Sequence, residues 1–330
     1  MQSPEMYKFN NILHLCIMAG IYIHIPFCKK ACNYCNFHFS TSLKQEEAMI
    51  QAITQELDMR INYLESQLIE TIYWGGGTPS ILQKESILYI HQHLLKYVNA
   101  TAIKEYTMEC NPDDISEAFL DILKLIGVTR LSLGIQSFKE ADLQYMNRAH
   151  NIKQVYEALS LISAYGFDMS IDLIYGIPGL LDEEWRENIS KAMHPSINHI
   201  SAYALTVEPQ TLLANQIKKG KAEPLDENQA ARQFEILVNT LSENGYEQYE
   251  ISNFARNRKY AVHNTSYWKG QWYLGLGPSA HSFNGKSRSW NIANNNLYIQ
   301  FINNKTPAFE EELLSEENQW NDCTSYYVGY

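Results

Sequence analysis

Between residues 20 and 205 the chain alternates six short apolar runs with longer stretches of helical periodicity, and this alternation limits its fold more than any other feature. The runs expected as strands lie at 20–25, 70–74, 104–109, 129–134, 168–175 and 197–205. Helical patterns fill 43–66, 84–97, 116–126, 140–164 and 182–193. Asp182-Glu183-Glu184 opens the last of these, where acidic side chains meet the positive end of the helix dipole. Strands joined by helices pair in parallel, because only a crossover brings the chain back to lie parallel in the same sheet. The expected fold class is α/β, with right-handed crossovers that either close toward a barrel or leave it open as a partial one. Periodicity does not choose between these.

The first strand runs into Pro26-Phe27-Cys28-Lys29-Lys30-Ala31-Cys32-Asn33-Tyr34-Cys35, a C-x3-C-x2-C loop. Three thiolates in one loop suit the irons of a 4Fe-4S cluster, which needs four ligands. The fourth iron is left for a ligand that is not protein. A structural zinc is the competing reading, but it favours paired C-x2–4-C knuckles, and Cys16, Cys110 and Cys323 are scattered. The loop, followed by a glycine-rich strand end, resembles the radical S-adenosylmethionine (SAM) superfamily, in which the open iron chelates the amino and carboxylate groups of SAM.

Composition narrows the class. The 330 residues suffice for one large α/β domain with a smaller appendage. A net charge of −11 argues against a general nucleic-acid binder. Clustered cysteines do not make a secreted disulfide framework, and an oxygen-sensitive cluster fits a reducing cytoplasm. The stretch 11–27 is apolar but interrupted by Asn11, His14, Gly20 and His24, too short and polar to span a membrane. Residues 1–17 are expected to be an extension outside the fold, with Met18 as an alternative start. The remainder divides into a barrel over 18–208 and a small α+β extension over 209–330, where aromatic segments at 246–254, 263–268, 272–276 and 281–283 follow a helix near 226–244.

Functional groups of parallel barrels gather at the C-terminal strand ends. Tyr73-Trp74-Gly75-Gly76-Gly77-Thr78-Pro79 ends the second strand there, and its glycines let the backbone approach a ligand or simply turn tightly. Glu109 ends the third, where an unpaired carboxylate is costly unless it meets water or ligand, and Asn111-Pro112 follows as a turn. Cys110 reads as a small buried side chain rather than a cluster ligand. Gln136 lies just beyond the fourth strand, Arg148 between two helical stretches, and Asp172 within a very apolar strand. Arg148 and Asp172 can equally form a private ion pair.

Taken in order, Tyr22-x-His24-Ile25-Pro26-Phe27-Cys28, Gly75-Gly76-Gly77-Thr78-Pro79, Glu109-x-Asn111-Pro112, Gln136-x-Phe138 and Asp172-Leu173-Ile174-Tyr175-Gly176-x-Pro178 resemble the oxygen-independent coproporphyrinogen oxidase family. The resemblance runs from about Gly20 to Phe283 and implies a partial (β/α)6 radical-SAM barrel. It also implies that Cys28, Cys32 and Cys35 hold the cluster. By the same resemblance Tyr22, Tyr34, Gly76, Gly77, Thr78, Glu109, Gln136, Arg148, Asp172 and Ala204 contact SAM. In the oxidase proper the loop reads C-x3-C-x2-C-x-C, whereas here that last position is Phe37. Phe37 is the pattern of a heme-chaperone branch, as is the H-N-x-x-Y-W motif His263-Asn264-Thr265-Ser266-Tyr267-Trp268, which is associated there with heme. Read as a strand, the motif places His263 and Tyr267 on one face and Trp268 on the other. Imidazole can ligate heme iron and the aromatic rings offer flat apolar surface; a hydrogen-bonded histidine in an aromatic core is the alternative. The family continues into a helical C-terminal domain after a segment like Leu314-Ser315-Glu316-Glu317-Asn318, and 321–327 do not follow its pattern, as in a truncated chain.

Two functions follow from the resemblance. One is a heme chaperone that binds cluster, SAM and heme and passes heme to an acceptor protein. The other is a radical SAM enzyme of porphyrin biosynthesis, oxidatively decarboxylating the propionates of coproporphyrinogen III. Phe37 and His263 favour the chaperone. Both require an electron donor to the cluster, neither requires nucleic acid, and a homodimer is left open.

Overall fold

The computed structural model describes residues 18–315 and 318. The expectations for 1–17, Cys16 and 319–330, including Cys323, lie outside these described residues. Six parallel strands stand side by side in chain order: β1 (Ala19–Ile25), β2 (Ile69–Gly76), β3 (Glu105–Cys110), β4 (Arg130–Gln136), β5 (Asp168–Tyr175) and β6 (His199–Ala204). The crossovers carry α1 (Glu46–Arg60), α2 (Lys84–Leu94), α3 (Glu117–Leu125), α4 (Glu140–Tyr145), α5 (Ile152–Tyr165) and α6 (Asp182–Ala192). This is the expected radical-SAM type of α/β architecture, with strand boundaries within two residues of those read from the sequence.

One helical expectation needs correction: 140–164 is two helices. Asn147 adopts a left-handed backbone (φ 57°), which ends the first. Asn151 starts the second by a reciprocal cap with Gln154, each side chain accepting the other's backbone N–H at 3.0 Å. The break leaves Arg148 free to point at the cysteine loop.

Side chains alternate across a strand, and here the two faces differ sharply. Ile21, Ile23, Trp74, Met108, Leu131, Leu133, Ile171 and Ile200 are fully buried in one core with the helices. The opposite face carries Tyr73, Thr107, Glu109, Ser132, Ser170, Asp172, His199 and Ser201, which line cavities inside the barrel. A parallel sheet buried on both faces is normally apolar on both. The polar inner face marks this lumen as a place for ligands or water.

After β6 come α7 (Leu212–Lys218), α8 (Glu227–Glu243), β7 (Glu247–Gln248), β8 (Asn253–Ala255), α9 (Val262–Trp268), β9 (Trp272–Leu276), β10 (His281–Phe283), β11 (Ser287–Asn291), α10 (Asn295–Asn303) and β12 (Phe309–Leu313). The strands extend both edges of one twelve-stranded sheet, ordered β12-β11-β10-β9-β1-β2-β3-β4-β5-β6-β8-β7. β8 runs antiparallel to β6, and β9 runs parallel to β1. The chain therefore crosses from one side of the barrel to the other, and α9 makes the crossing beneath the lumen. Here the strand expected at 263–268 is corrected to a helix: Glu105 accepts the Val262 and His263 backbone N–H groups, both at 2.9 Å, and so caps its first turn.

A buried cluster fastens the β9–β11 edge to α1. Arg60 donates to Glu56 Oε1 (2.9 Å), Asn291 Oδ1 (3.0 Å) and Ser289 Oγ (2.7 Å). Glu56 Oε2 accepts from Gly277 N–H (2.8 Å) and Tyr298 O–H (2.6 Å). Such a pair is tolerated in a core only because every oxygen is hydrogen-bonded. Among the described residues no helix is long and apolar enough to cross a membrane.

Candidate functional site

The C-terminal strand ends open into a cavity of about 480 Å³, the size of a cofactor site. Cys28, Cys32 and Cys35 line it, as do Tyr34, Gly76, Gly77, Thr78, Glu109, Gln136, Arg148, Asp172 and Ala204. The structure thus brings together every residue expected at the cluster and SAM site except Tyr22. That side chain lies deeper in the lumen, stacked on Tyr73 (centroids 6.0 Å apart), with its hydroxyl 3.2 Å from His24 Nδ1.

The cysteine loop is pinned to the barrel. Cys28 N–H donates to Ser40 O (3.0 Å), Asn33 N–H to Met146 O (3.1 Å), and Asn33 Nδ2 to Tyr145 O (2.7 Å). Two donors reach the sulfurs: Thr78 Oγ1 lies 3.4 Å from Cys28 Sγ, and Arg148 Nη1 lies 3.3 Å from Cys32 Sγ. Burial pushes the Cys28 thiol up to about 11 and raises that of Cys35. Metal binding must then displace protons. Three converging thiols, donors to two of them and adjoining space for a ligand fit a three-cysteine cluster with an open iron. Cys110 is buried, with its Sγ 3.7 Å from Met108 O.

Arg148 is held by Nη2 bonds to Asn111 Oδ1 (2.6 Å) and Gly134 O (2.9 Å), and it remains a cation beside Tyr34 and Cys32. It pairs with these groups rather than with the Asp172 carboxylate, whose oxygen lies 3.4 Å from Ser132 Oγ. Gln136 occupies left-handed backbone (φ 69°), a strained conformation for a non-glycine residue. Gly76 also has positive φ (101°), and a Cβ there would meet the His24 ring at 2.5 Å. His24 Nε2 in turn bonds His38 O (3.0 Å), tying β1 to the end of the cysteine loop.

The two carboxylates have unusual electrostatics. Both keep some surface open to the cavity although protein encloses them. Burial and then the neighbouring Asp172 push Glu109 up to about 7, against hydrogen bonds from the Tyr73 hydroxyl (2.8 Å) and Gly76 N–H. Burial pushes Asp172 up to about 6, opposed by Ser201, Ser132 and the Arg148 and Arg130 cations. Each becomes a strong acceptor when a cationic ligand draws near and its proton leaves to water.

The histidine of the aromatic motif is remote from this cavity. His263 is wholly buried, with Nδ1 2.8 Å from Thr71 Oγ1 and Nε2 2.8 Å from Tyr267 Oη. It stacks on Tyr73 (centroids 5.1 Å apart), and burial lowers its pKa to about 3, so it is neutral. Tyr267 shares its face, now by helical i,i+4 spacing, while Trp268 is 53 % exposed.

Sequence reasoning missed Ser132, Tyr203, Leu205, Thr206 and Glu208 on the cavity wall, and Thr107, Arg130, Ser170 and His199 below it. A period-two polar signal in the strands (Glu105, Thr107, Glu109; Ser170, Asp172; His199, Ser201, Tyr203) marks Thr107, Ser170, His199 and Tyr203 among them.

Known proteins agree with this geometry. The sequence profile of the Radical SAM superfamily matches residues 22–192. The chain is 34 % identical over 306 residues to the heme chaperone HemW of Bacillus subtilis (strain 168), covering 91 % of this chain and 80 % of that protein. The heme chaperone HemW of Mycobacterium tuberculosis (strain CDC 1551 / Oshkosh) is 32 % identical, covering 86 % and 74 %. Among solved structures, the coproporphyrinogen III oxidase HemN of Escherichia coli, a radical SAM enzyme, superposes with a TM-score of 0.80 at 25 % identity, covering 94 % of this chain and 74 % of that one. Cavity, sheet and sequence agree: the chain belongs to the radical SAM superfamily, in the oxygen-independent coproporphyrinogen oxidase-like family and its HemW heme-chaperone branch.

Proposed function

We propose that the protein is a cytoplasmic heme chaperone that holds a 4Fe-4S cluster on Cys28, Cys32 and Cys35, binds SAM beside it, and carries heme to an acceptor protein. The observation that carries this reading is Phe37. It lines the cavity rim and is 68 % exposed, at the position where the oxidase branch resembled above has a further cysteine. A large apolar side chain replaces sulfur there and presents flat surface to whatever approaches the cluster.

When bound, the cluster and SAM supply one-electron chemistry, gated by an electron donor. The chain's own residues then position and shield. Arg148 holds a positive charge beside Cys32, the Gly76-Gly77 backbone gives close approach to the amino-acid portion of SAM, and Glu109, Gln136 and Asp172 accept or donate to its polar groups. Ala204 offers a small wall for the adenosine. For heme we assign the α9 face carrying His263 and Tyr267, with exposed Trp268 at its outer end. Both His263 nitrogens are engaged inside the barrel, so iron ligation by this residue requires α9 to move outward.

Coproporphyrinogen III decarboxylation is the second reading, favoured by the close superposition on HemN. One anaerobic comparison separates the two. Reconstituted protein is titrated with heme, then offered coproporphyrinogen III with SAM and reductant. A Soret band, lost or shifted in His263→Ala while cluster absorbance persists, supports the chaperone. Robust decarboxylation overturns it, and an unchanged heme spectrum in His263→Ala removes that residue as ligand.

A further inference from the structure

Beneath the main cavity, toward α9, lies a second space of about 50 Å³. Glu109, Ser132, Asp172 and Tyr203 line both, so the two carboxylates form the partition between them. The deeper wall is Thr107, Arg130, Ser170 and His199, with Asn264 from α9 and Ala261 just before it.

Two polar atoms on this wall lack any partner: Thr107 Oγ1 and Arg130 Nη2, on side chains only 1 % and 4 % exposed. Buried polar atoms without a protein partner are rare and call for a water or a ligand. The space clears the roughly 10–15 Å³ that a single water needs, and its lining is mostly polar. An anion is disfavoured, because Glu105 Oε2 already lies 4.0 Å from Arg130 Nη1 and both partition carboxylates face inward. An apolar ligand would strand the hydroxyls.

We propose that this space is a built hydration site, whose waters connect Glu109 and Asp172 to the floor of the barrel and carry the protons they exchange while ligand fills the cavity above. The proposal rests on the reading of that upper cavity as the SAM site. SAM brings a sulfonium, which favours ionised carboxylates, and its amino group would shed its own proton on chelating iron, so a proton from whichever carboxylate holds one adds to that release. Glu109 is about half protonated near neutral pH, so the quantity is appreciable. The exit follows His199, whose Nε2 lies 2.6 Å from the hydroxyl of part-exposed Tyr249.

The charged and titratable groups around the pair are Tyr22 from β1, Tyr73 from β2, Glu105 from β3, Arg130 from β4, His199 and Tyr203 from β6, Arg148 from the α4–α5 turn and Tyr267 from α9. His263 of α9 lies behind Tyr73 and is neutral. None of these supplies a direct partner for the Thr107 hydroxyl.

A crystal structure of the full chain and calorimetric SAM titrations of wild type and Thr107→Val test the proposal. Expected are ordered waters on Thr107 Oγ1 and Arg130 Nη2. SAM binding between pH 6 and 7.5 should release more protons in wild type than in Glu109→Gln, seen as a larger dependence of the heat on buffer ionisation enthalpy. Thr107→Val removes a water anchor with little change of shape. With less water to solvate the carboxylates, the pH midpoint of SAM affinity should rise by about half a unit, with cluster absorbance unchanged. An empty cavity, or a Thr107→Val profile that overlays the wild type, overturns the proposal. Failure of wild type to bind SAM overturns the proposed function instead, a result read independently of the water positions.

Discussion

Glu109→Gln should make the protein more stable and less able to bind SAM. A free glutamate titrates near 4.5, whereas Glu109 holds its proton up to about 7. Between these values the native state binds more protons than the unfolded state, so stability falls as pH rises through the interval. Below about 4.5 both states are protonated and the contribution is fully present; above about 7 it is lost. A rise from 4.5 to about 7, at about 1.4 kcal/mol per pH unit, corresponds to roughly 3 kcal/mol. Allowing for the cavity-facing surface of the side chain, roughly 2 kcal/mol is the working expectation. Glutamine keeps the shape and an acceptor for the Tyr73 hydroxyl but cannot ionise. Urea unfolding of the metal-free full chain should therefore show Glu109→Gln about 2 kcal/mol more stable than wild type at pH 8, and under 1 kcal/mol more stable at pH 5. SAM affinity of the reconstituted variant should drop about ten- to a hundredfold, the loss of a hydrogen bond to a charged group. Equal stabilities at pH 8, or a gain that does not grow with pH, would refute the assignment of Glu109 as a carboxylate strained for ligand binding.

Anaerobic reconstitution of Cys28→Ser, Cys32→Ser and Cys35→Ser should each lose the cluster's visible absorbance, while Cys110→Ser keeps it; loss in Cys110→Ser alone would reassign the ligands. Gly76→Ala sets a Cβ against the His24 ring in left-handed backbone, so urea unfolding should register a cost of roughly 1–3 kcal/mol and SAM binding should weaken. Arg60→Ala leaves Glu56 as an uncompensated buried carboxylate and should cost about 3–5 kcal/mol in the same assay, without altering cluster spectra in protein that stays folded.

The barrel was legible because its signals are local. Short apolar runs, acidic helix starts and glycine-rich strand ends survive in any window of sequence, and they located all six barrel strands. That Cys28, Cys32 and Cys35 share one cavity with the glycines and carboxylates of the strand ends was legible through motif order. Two features were not. The 140–164 stretch looks like one helix because its apolar spacing is continuous, and the left-handed Asn147 that splits it carries no strong sequence mark. The aromatic segment at 263–268 resembles a strand by residue type, since His, Thr, Tyr and Trp all suit one. Its helical form depends on Glu105, more than 150 residues away in sequence, accepting the first-turn N–H groups. Tyr22, a SAM contact by resemblance, is held within the lumen by its stacking on Tyr73.

The pairing of β9 with β1 also bears on how the molecule is made. β1 leaves the ribosome among the first described elements, and its second neighbour follows about 250 residues later. At ordinary synthesis rates that interval lasts roughly tens of seconds. Throughout it one edge of an isoleucine-rich strand, directly preceding the three thiols, has no partner. An exposed edge of this kind invites association with other chains. The strand that carries the cysteine loop therefore gains its second edge only late in translation, which makes the nascent form a natural client for holding factors.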